Sequence, residues 1–324
     1  LALRTLQPLC KVLQDSNHEN AARLTRRVGM SGATGLGSAA YALAQISQLL
    51  QEPALLQDGL KAAALITPDL IAADKSFDIM GGAAGAILGL LALPASTGLE
   101  LAITCGEHLL EHQTSIDKRP KAWKTLAGKQ LTGFSQGAAG IAYALLRLFA
   151  VTEDSRFLDA ANQAIAYEQS VFCAEAQNWP DFRSDESCFK LSWAHGAPGI
   201  GLARLGGLSV LDTPEIRQEI AIAVEITQRF AVWSVDNLCW GNLGRIETLL
   251  VAAQKLDRPD LLEFVHQAVT SIVTQAQAQG TFTLFPNVPP KVYNPGFFHG
   301  TTGIGYQLLR VAYPNVLPSV LLWE

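Results

Sequence analysis

The chain has 324 residues, 49% of them hydrophobic and 16% charged, with a formal net charge of −5. So apolar a chain must bury a large core, and it carries no basic cluster of the kind that binds nucleic acid. Five cysteines at positions 10, 105, 173, 188 and 239 form no CxxC pair, which suits a reducing, cytoplasmic setting better than a disulfide scaffold.

In chain order, the same pattern returns six times. It opens as SGATGLGSAAYAL from Ser31, GGAAGAILGLLAL from Gly81 and QGAAGIAYALLRL from Gln136. It continues as HGAPGIGLARL from His195, WGNLGRIETLL from Trp240 and HGTTGIGYQLL from His299. The first glycines fall at 32, 82, 137, 196, 241 and 300, a period of 45 to 59 residues. Each Gly-x-x-Gly is followed by Ala, Leu, Ile and Tyr at helical spacing. Amphipathic segments lie between them, such as LLQDGLKAAALI from Leu55 and PEIRQEIAIAVEITQRFAVW from Pro214.

A period of this length fits a helical hairpin. Six hairpins predict an all-α fold closed into a double ring, an α6/α6 toroid, with the whole of 1–324 as one domain. Strand signals are scarce, and only TFTLF from Thr281 reads as extended. Cys10, Cys105 and Cys173 read as helical core. The uncharged run between Asp78 and Glu100 is long enough to cross a bilayer, but its glycines and Pro94 make a buried helix the better reading.

GATGLG lacks the Gly-Lys-Ser/Thr ending of a phosphate loop, so the glycines read as architecture. Function is expected in the residues before them, at one rim of the ring. Immediately before the first glycines stand Ser31, Gly81, Gln136, His195, Trp240 and His299. One position earlier stand Met30, Met80, Ser135, Ala194, Cys239 and Phe298. Two histidines and a cysteine in so small a set point toward zinc, although a lone Cys or a His at a helix start also serves as plain structure. Asp78 lies just ahead of the second repeat as a candidate acid or base. Asp181, Asp185 and Glu186, beside Arg183 and Lys190 in NWPDFRSDESCFK, read as a solvated loop.

These residues carry a family likeness. LTGFSQGAAGIAYALLRL, SWAHGAPGIGLARL, NLCWGNLGRIE and the closing GFFHGTTGIGYQLLRVAYPNVLPSVLL resemble the lanthionine synthetase C-like (LanC-like) cyclase domain, and specifically the C-terminal domain of the LanM class II lanthipeptide synthetases. The resemblance covers nearly the whole chain. It implies a double α-toroid with one zinc at the rim, acting on a precursor peptide whose Ser and Thr have been dehydrated. Zinc held by two Cys and one His would bind the substrate thiol as thiolate, and a His and an Asp would manage the protons of thioether formation. It also implies a dehydratase domain ahead of Leu1, with which the missing initiator Met agrees.

Carried over residue by residue, the family's Asp is matched by Asp78 and its second zinc Cys by Cys239. Its catalytic His falls on Gln136, its first zinc Cys on Ala194 and its zinc His on Trp240. Ala194 has no donor atom, the Trp240 indole nitrogen offers no lone pair, and Gln136 does not titrate. The departures predict a peptide-handling domain whose zinc chemistry is lost or altered. A second possibility is an active cyclase with zinc relocated to Cys239, His195 and His299. A more distant one is a carbohydrate-active barrel, for which the sequence offers no facing carboxylate pair.

Overall fold

A computed structural model describes residues 2–15, 18–184, 188–233, 235–286 and 292–324. Among them are fourteen α-helices and one two-stranded hairpin of two residues per strand. Two compact units are distinguished.

The first unit comprises Leu1–Gln130, Gly140–Ala166 and Trp323. It holds α1 (Ala2–Gln14), α2 (His18–Val28), α3 (Leu36–Leu50), α4 (Pro53–Ala64), α5 (Pro68–Ala72), α6 (Ala83–Leu91) and α7 (Ala95–His112), with most of α8 (Ala138–Thr152) and α9 (Ser155–Ser170). The repeat helices α3 and α6 pack on each other, and α4 and α7 pack against them. A methyl group on Gly89 would stand 2.3 Å from the Gly37 carbonyl, so only glycine lets α3 and α6 cross this closely. Trp323 closes this unit, its indole N–H donating to the Gly32 carbonyl at 3.0 Å.

The second unit comprises Leu131–Ala139, Tyr167–Leu322 and Glu324. It holds α10 (Ala197–Gly207), α11 (Pro214–Arg229), α12 (Asn242–Lys255), α13 (Pro259–Gln279) and α14 (Thr301–Ala312). Every residue of α10 is buried, as is α12 from Asn242 to Ala253. By contrast α11 buries Ile216, Ile220, Ala223 and Thr227, and α13 buries Leu261, Val265, Ala268, Ile272 and Ala276. Each of those sets is one stripe at three- and four-residue spacing. The Gly-x-x-Gly helices are therefore the inner ones, with α10 and α12 packed on all sides, and the intervening ones are covers. Thr213 caps α11 by accepting the Ile216 N–H, and Pro214 takes the first helical position.

One device opens all six inner helices. A backbone N–H at or near the helix start donates to the carbonyl seven residues earlier: Leu36 to Gly29, Ala84 to Phe77, Ala138 to Leu131, Gly199 to Ser192, Asn242 to Val235 and Thr301 to Asn294, at 2.7 to 3.2 Å. The loop thus curls over its own helix end and satisfies an N–H that has no partner within the helix.

Three expectations need correction. Residues 281–286 form no strand: Thr283 N–H donates to the Asp236 carboxylate, its carbonyl accepts the Asp236 N–H, and the Leu284 carbonyl accepts from Asn237. The segment is pinned to the fifth repeat's turn instead of to another strand. The strands are Pro180–Asp181 and Cys188–Phe189, inside the stretch read as a solvated loop, where Asp181 is buried and paired with Arg183 at 2.7 Å. Asp185 and Glu186 lie outside the described residues. Cys10 and Cys105 are buried in helices, but Cys173 sits half-buried in an isolated β-bridge with Asn178. The run from Asp78 to Glu100 breaks at Pro94 into α6 and α7, and among the described residues no helix is long and apolar enough to cross a membrane.

Candidate functional site

In the second unit, four successive repeat turns lie side by side through their backbones. Phe134 and Ser135 N–H donate to the Ala194 carbonyl, Ala194 N–H to the Cys239 carbonyl, and Cys239 N–H to the Phe298 carbonyl, at 2.9 to 3.2 Å. The equivalent positions of repeats three to six are thereby held in one row. The Trp193 ring is set between Phe134 and Phe298, at centroid distances of 5.3 and 5.2 Å.

The row brings Ala194, His195, Cys239, Trp240 and His299 together, with Gln136 half-buried in the third repeat's turn. His195 is buried and hydrogen-bonded to Thr132. Its Nδ1 has no partner, and burial, with Arg183 adding to it, pushes its pKa down to about 4. At neutral pH it is an uncharged imidazole with an uncommitted nitrogen. Burial pushes the Cys239 thiol up to about 12, only weakly opposed by Arg183, so it remains a thiol. The His299 ring packs on Trp240 at 4.5 Å; its buried Nε2 also lacks a partner, and burial lowers its pKa.

Beside this row opens a cavity of about 400 Å³ lined by Arg183, Lys190, Ser192, His195, Trp233, Trp240 and Arg245. Arg245 is buried and braces its wall by donating to the carbonyls of Leu191 and Trp240. Trp233 and Trp240 are 66% and 43% exposed, amphipathic rings of the kind that hold peptides. Neither Trp233 nor the two arginines follows from the repeat pattern. The one signal for them is their nearness in sequence to the fourth and fifth turns.

Asp78 belongs to the first unit, in the turn before α6. The Asp74 carboxylate organises that turn by accepting the N–H groups of Ser76, Phe77 and Ala83. Asp78 is buried; it accepts the Gly81 N–H at 2.7 Å, yet burial, and then the charge of Asp74, push its pKa up to about 7. It is thus poised to give or take a proton near neutrality. The sign for stability follows. A native pKa above the ordinary value of about 3.9 means the folded state holds a proton that the unfolded state releases, so stability falls as pH rises from about 4 to 7. Urea unfolding at pH 5 and pH 8 should show this loss for the parent chain, and Asp78→Asn should abolish it. An equal pH dependence in the two would assign the loss elsewhere.

Among the described residues, the His, Cys, Asp and Glu side chains whose ligand atoms converge within 4.8 Å are His108, Glu111 and His112, on α7. Cys239, His195 and His299 do not form such a group. The α7 cluster went unnoticed in the sequence, although two histidines four apart with an intervening glutamate were its visible sign.

Residues 4–322 match the family described as lanthionine synthetase C-like protein. A lacticin 481/lactococcin biosynthesis protein, LcnDR2, of Lactococcus lactis subsp. lactis is 23% identical over 237 residues, which are 67% of this chain and 25% of the relative. The match thus spans about a quarter of that protein. Nisin cyclase superposes with a TM-score of 0.65 at 15% identity, covering 94% of this chain and 83% of that one. Cellobiose 2-epimerase from Spirochaeta thermophila gives 0.58 at 13% identity, covering 96% and 99%. Likenesses at this identity carry the fold alone: the all-α double toroid of helical hairpins expected from the six repeats. With the match running over almost its entire length, the chain belongs to the lanthionine synthetase C-like family.

Proposed function

We propose that this chain is the cyclase-fold domain of a lanthipeptide synthetase, that it holds a dehydrated, Cys-containing precursor peptide, and that the family's zinc-thiolate chemistry is lost or altered in it. The observation that carries the reading is the row of repeat turns. The residues at the family's ligand positions do not fit zinc: Ala194 ends in a buried methyl, Trp240 offers an indole N–H with no lone pair, and Cys239 is a buried thiol. One soft donor does not hold the ion.

Peptide holding is supported by the cavity beside the row. Two exposed indoles with Arg183 and Lys190 suit an extended chain with acidic or carbonyl-rich stretches. Holding the thiol near a dehydroamino acid would raise their effective concentration without a metal. We take 1–324 as one domain of a longer cytoplasmic synthetase whose dehydratase part lies elsewhere in that chain.

A second reading places zinc on Cys239, His195 and His299. It is favoured by the two partnerless ring nitrogens and opposed by the failure of the three donors to converge. The two are separated by incubating the chain with a dehydrated peptide and following free thiol. The expected result is tight peptide binding, weakened at least about tenfold by Trp240→Ala, with thiol loss independent of added zinc. Zinc-dependent thiol loss abolished by Cys239→Ala would overturn it.

A further inference from the structure

The last turn of α7 carries His108, Glu111 and His112, three ligand-bearing side chains with no part in the rim site. Residues three and four apart share a helix face, so the spacing places Glu111 and His112 each beside His108. One ligand atom from each lies within 4.8 Å of the other two, and the two imidazole centroids are 4.3 Å apart.

The hydrogen bonds around these rings select the form a metal needs. His108 Nε2 lies 3.0 Å from the Asp74 carbonyl, and His112 Nδ1 lies 2.8 Å from the His108 carbonyl. A carbonyl oxygen only accepts, so each of those nitrogens carries the proton. Nδ1 of His108 and Nε2 of His112 are left with their lone pairs. An imidazole that donates one N–H to a backbone carbonyl while offering its other nitrogen is the arrangement found around metal-ligating histidines. Phe77 packs on both rings, at 5.5 and 5.1 Å, and limits their rotation. His108 is buried and fixed, whereas Glu111 is exposed and can close by rotamer change. The site also sits at a helix C-terminus, where the backbone carbonyls favour a cation.

We propose that His108, Glu111 and His112 bind a divalent transition metal, zinc foremost, as a three-ligand site with an open fourth position for water. Two imidazoles and a carboxylate match zinc in donor type, and calcium or magnesium would seek oxygen alone. The site also reaches the fold around Asp78. The carbonyl that fixes His108 belongs to Asp74, whose carboxylate ties down the turn from Ser76 to Ala83. A metal on His108 therefore braces the turn that presents Asp78. This inference is independent of the peptide-holding reading.

The test is zinc binding to the whole chain by equilibrium dialysis, with cobalt as a spectroscopic probe and thermal unfolding measured with and without metal. One equivalent of zinc is expected, a visible cobalt band, and a higher unfolding temperature when metal is present. His112→Ala and Glu111→Gln should each weaken binding by more than the ~10–100-fold that loss of an outer partner costs. Both residues are exposed, so metal-free unfolding temperatures should match the parent's and separate ligand loss from misfolding. Cys239→Ala should leave the bound zinc in place. Failure to bind zinc, or an equivalent that survives His112→Ala, overturns the site on α7. An equivalent lost with Cys239→Ala overturns it as well and restores zinc to the rim, which sinks the proposed loss of zinc chemistry by a distinguishable route.

Discussion

Gly303→Ala is expected to cost about 3 kcal/mol or more of folding stability, while Gly305→Ala, two residues along the same helix, is expected to be neutral or stabilising by up to ~1 kcal/mol. A methyl on Gly303 would stand 1.8 Å from the Phe297 carbonyl and 2.8 Å from a Leu238 methyl; one on Gly305 would meet nothing within 4 Å. The first contact is backbone on backbone and cannot be relieved by a rotamer. Equivalent contacts recur at the second glycine of other repeats: Gly85 with the Ile79 carbonyl at 2.1 Å, Gly199 with Trp193 at 1.9 Å and Gly244 with Leu238 at 2.0 Å. Each is the carbonyl six residues earlier, on the loop that curls over the helix start. The second glycine is thus the space into which that loop folds. Paired denaturant curves for the two variants decide the matter, and a gain at Gly303 like that at Gly305 would mean that helix propensity, not the curled loop, governs these sites.

The same contact explains what could and could not be read from the sequence. Gly-x-x-Gly followed by a helical apolar run is visible as letters because its cause is local: one loop, one helix, and a position where any side chain collides. All six inner helices start where those glycines stand. The stripe on α11 was equally local, as Ile216, Ile220, Ala223 and Thr227 recur at helical spacing and are buried. The row joining Ala194, Cys239 and Phe298 was legible only as equivalence between repeats. The hydrogen bonds that set it span 45 and 59 residues and leave no mark in any one segment. TFTLF misled because alternation reports a strand only where a partner strand exists, and here Asp236 and Asn237 occupy its polar backbone groups. Asp181 misled for the opposite reason. Charges crowded in a loop look solvated, yet Arg183 lets this one be buried. The α7 cluster depends on Asp74 and Phe77, some thirty residues away, to fix two rings, and that is tertiary information.

Arg204→Met should destabilise the chain by about 3–5 kcal/mol, with most of that cost at neutral and higher pH. Arg204 is buried between two carboxylates, Glu168 at 2.8 Å and Glu219 at 2.8 Å. Burial raises the Glu168 pKa, and Arg204 is the chief influence holding it down. Without the guanidinium, Glu168 must either stay charged in an apolar interior or take up a proton there. Its native pKa then climbs further above the ordinary value of about 4.3, the folded state binds a proton that the unfolded state gives up, and stability falls as pH rises. The deficit of Arg204→Met should therefore shrink between pH 8 and pH 5. Adding Glu168→Gln should recover part of it at pH 8 by removing the stranded charge while keeping an oxygen to accept hydrogen bonds. That oxygen matters beyond stability. Glu168 Oε1 accepts the N–H groups of Gly133 and Ala139, at 3.0 and 3.1 Å, and so clamps both ends of the turn carrying Ser135 and Gln136. If the row of turns sets the peptide-binding surface, Arg204→Met should weaken peptide binding at pH 8, and the double variant should restore it along with stability. Urea unfolding and peptide titration at the two pH values read both effects. A deficit below about 1 kcal/mol that does not change with pH would mean the buried triad is replaceable by apolar packing. The clamp on the third turn would then have to come from elsewhere.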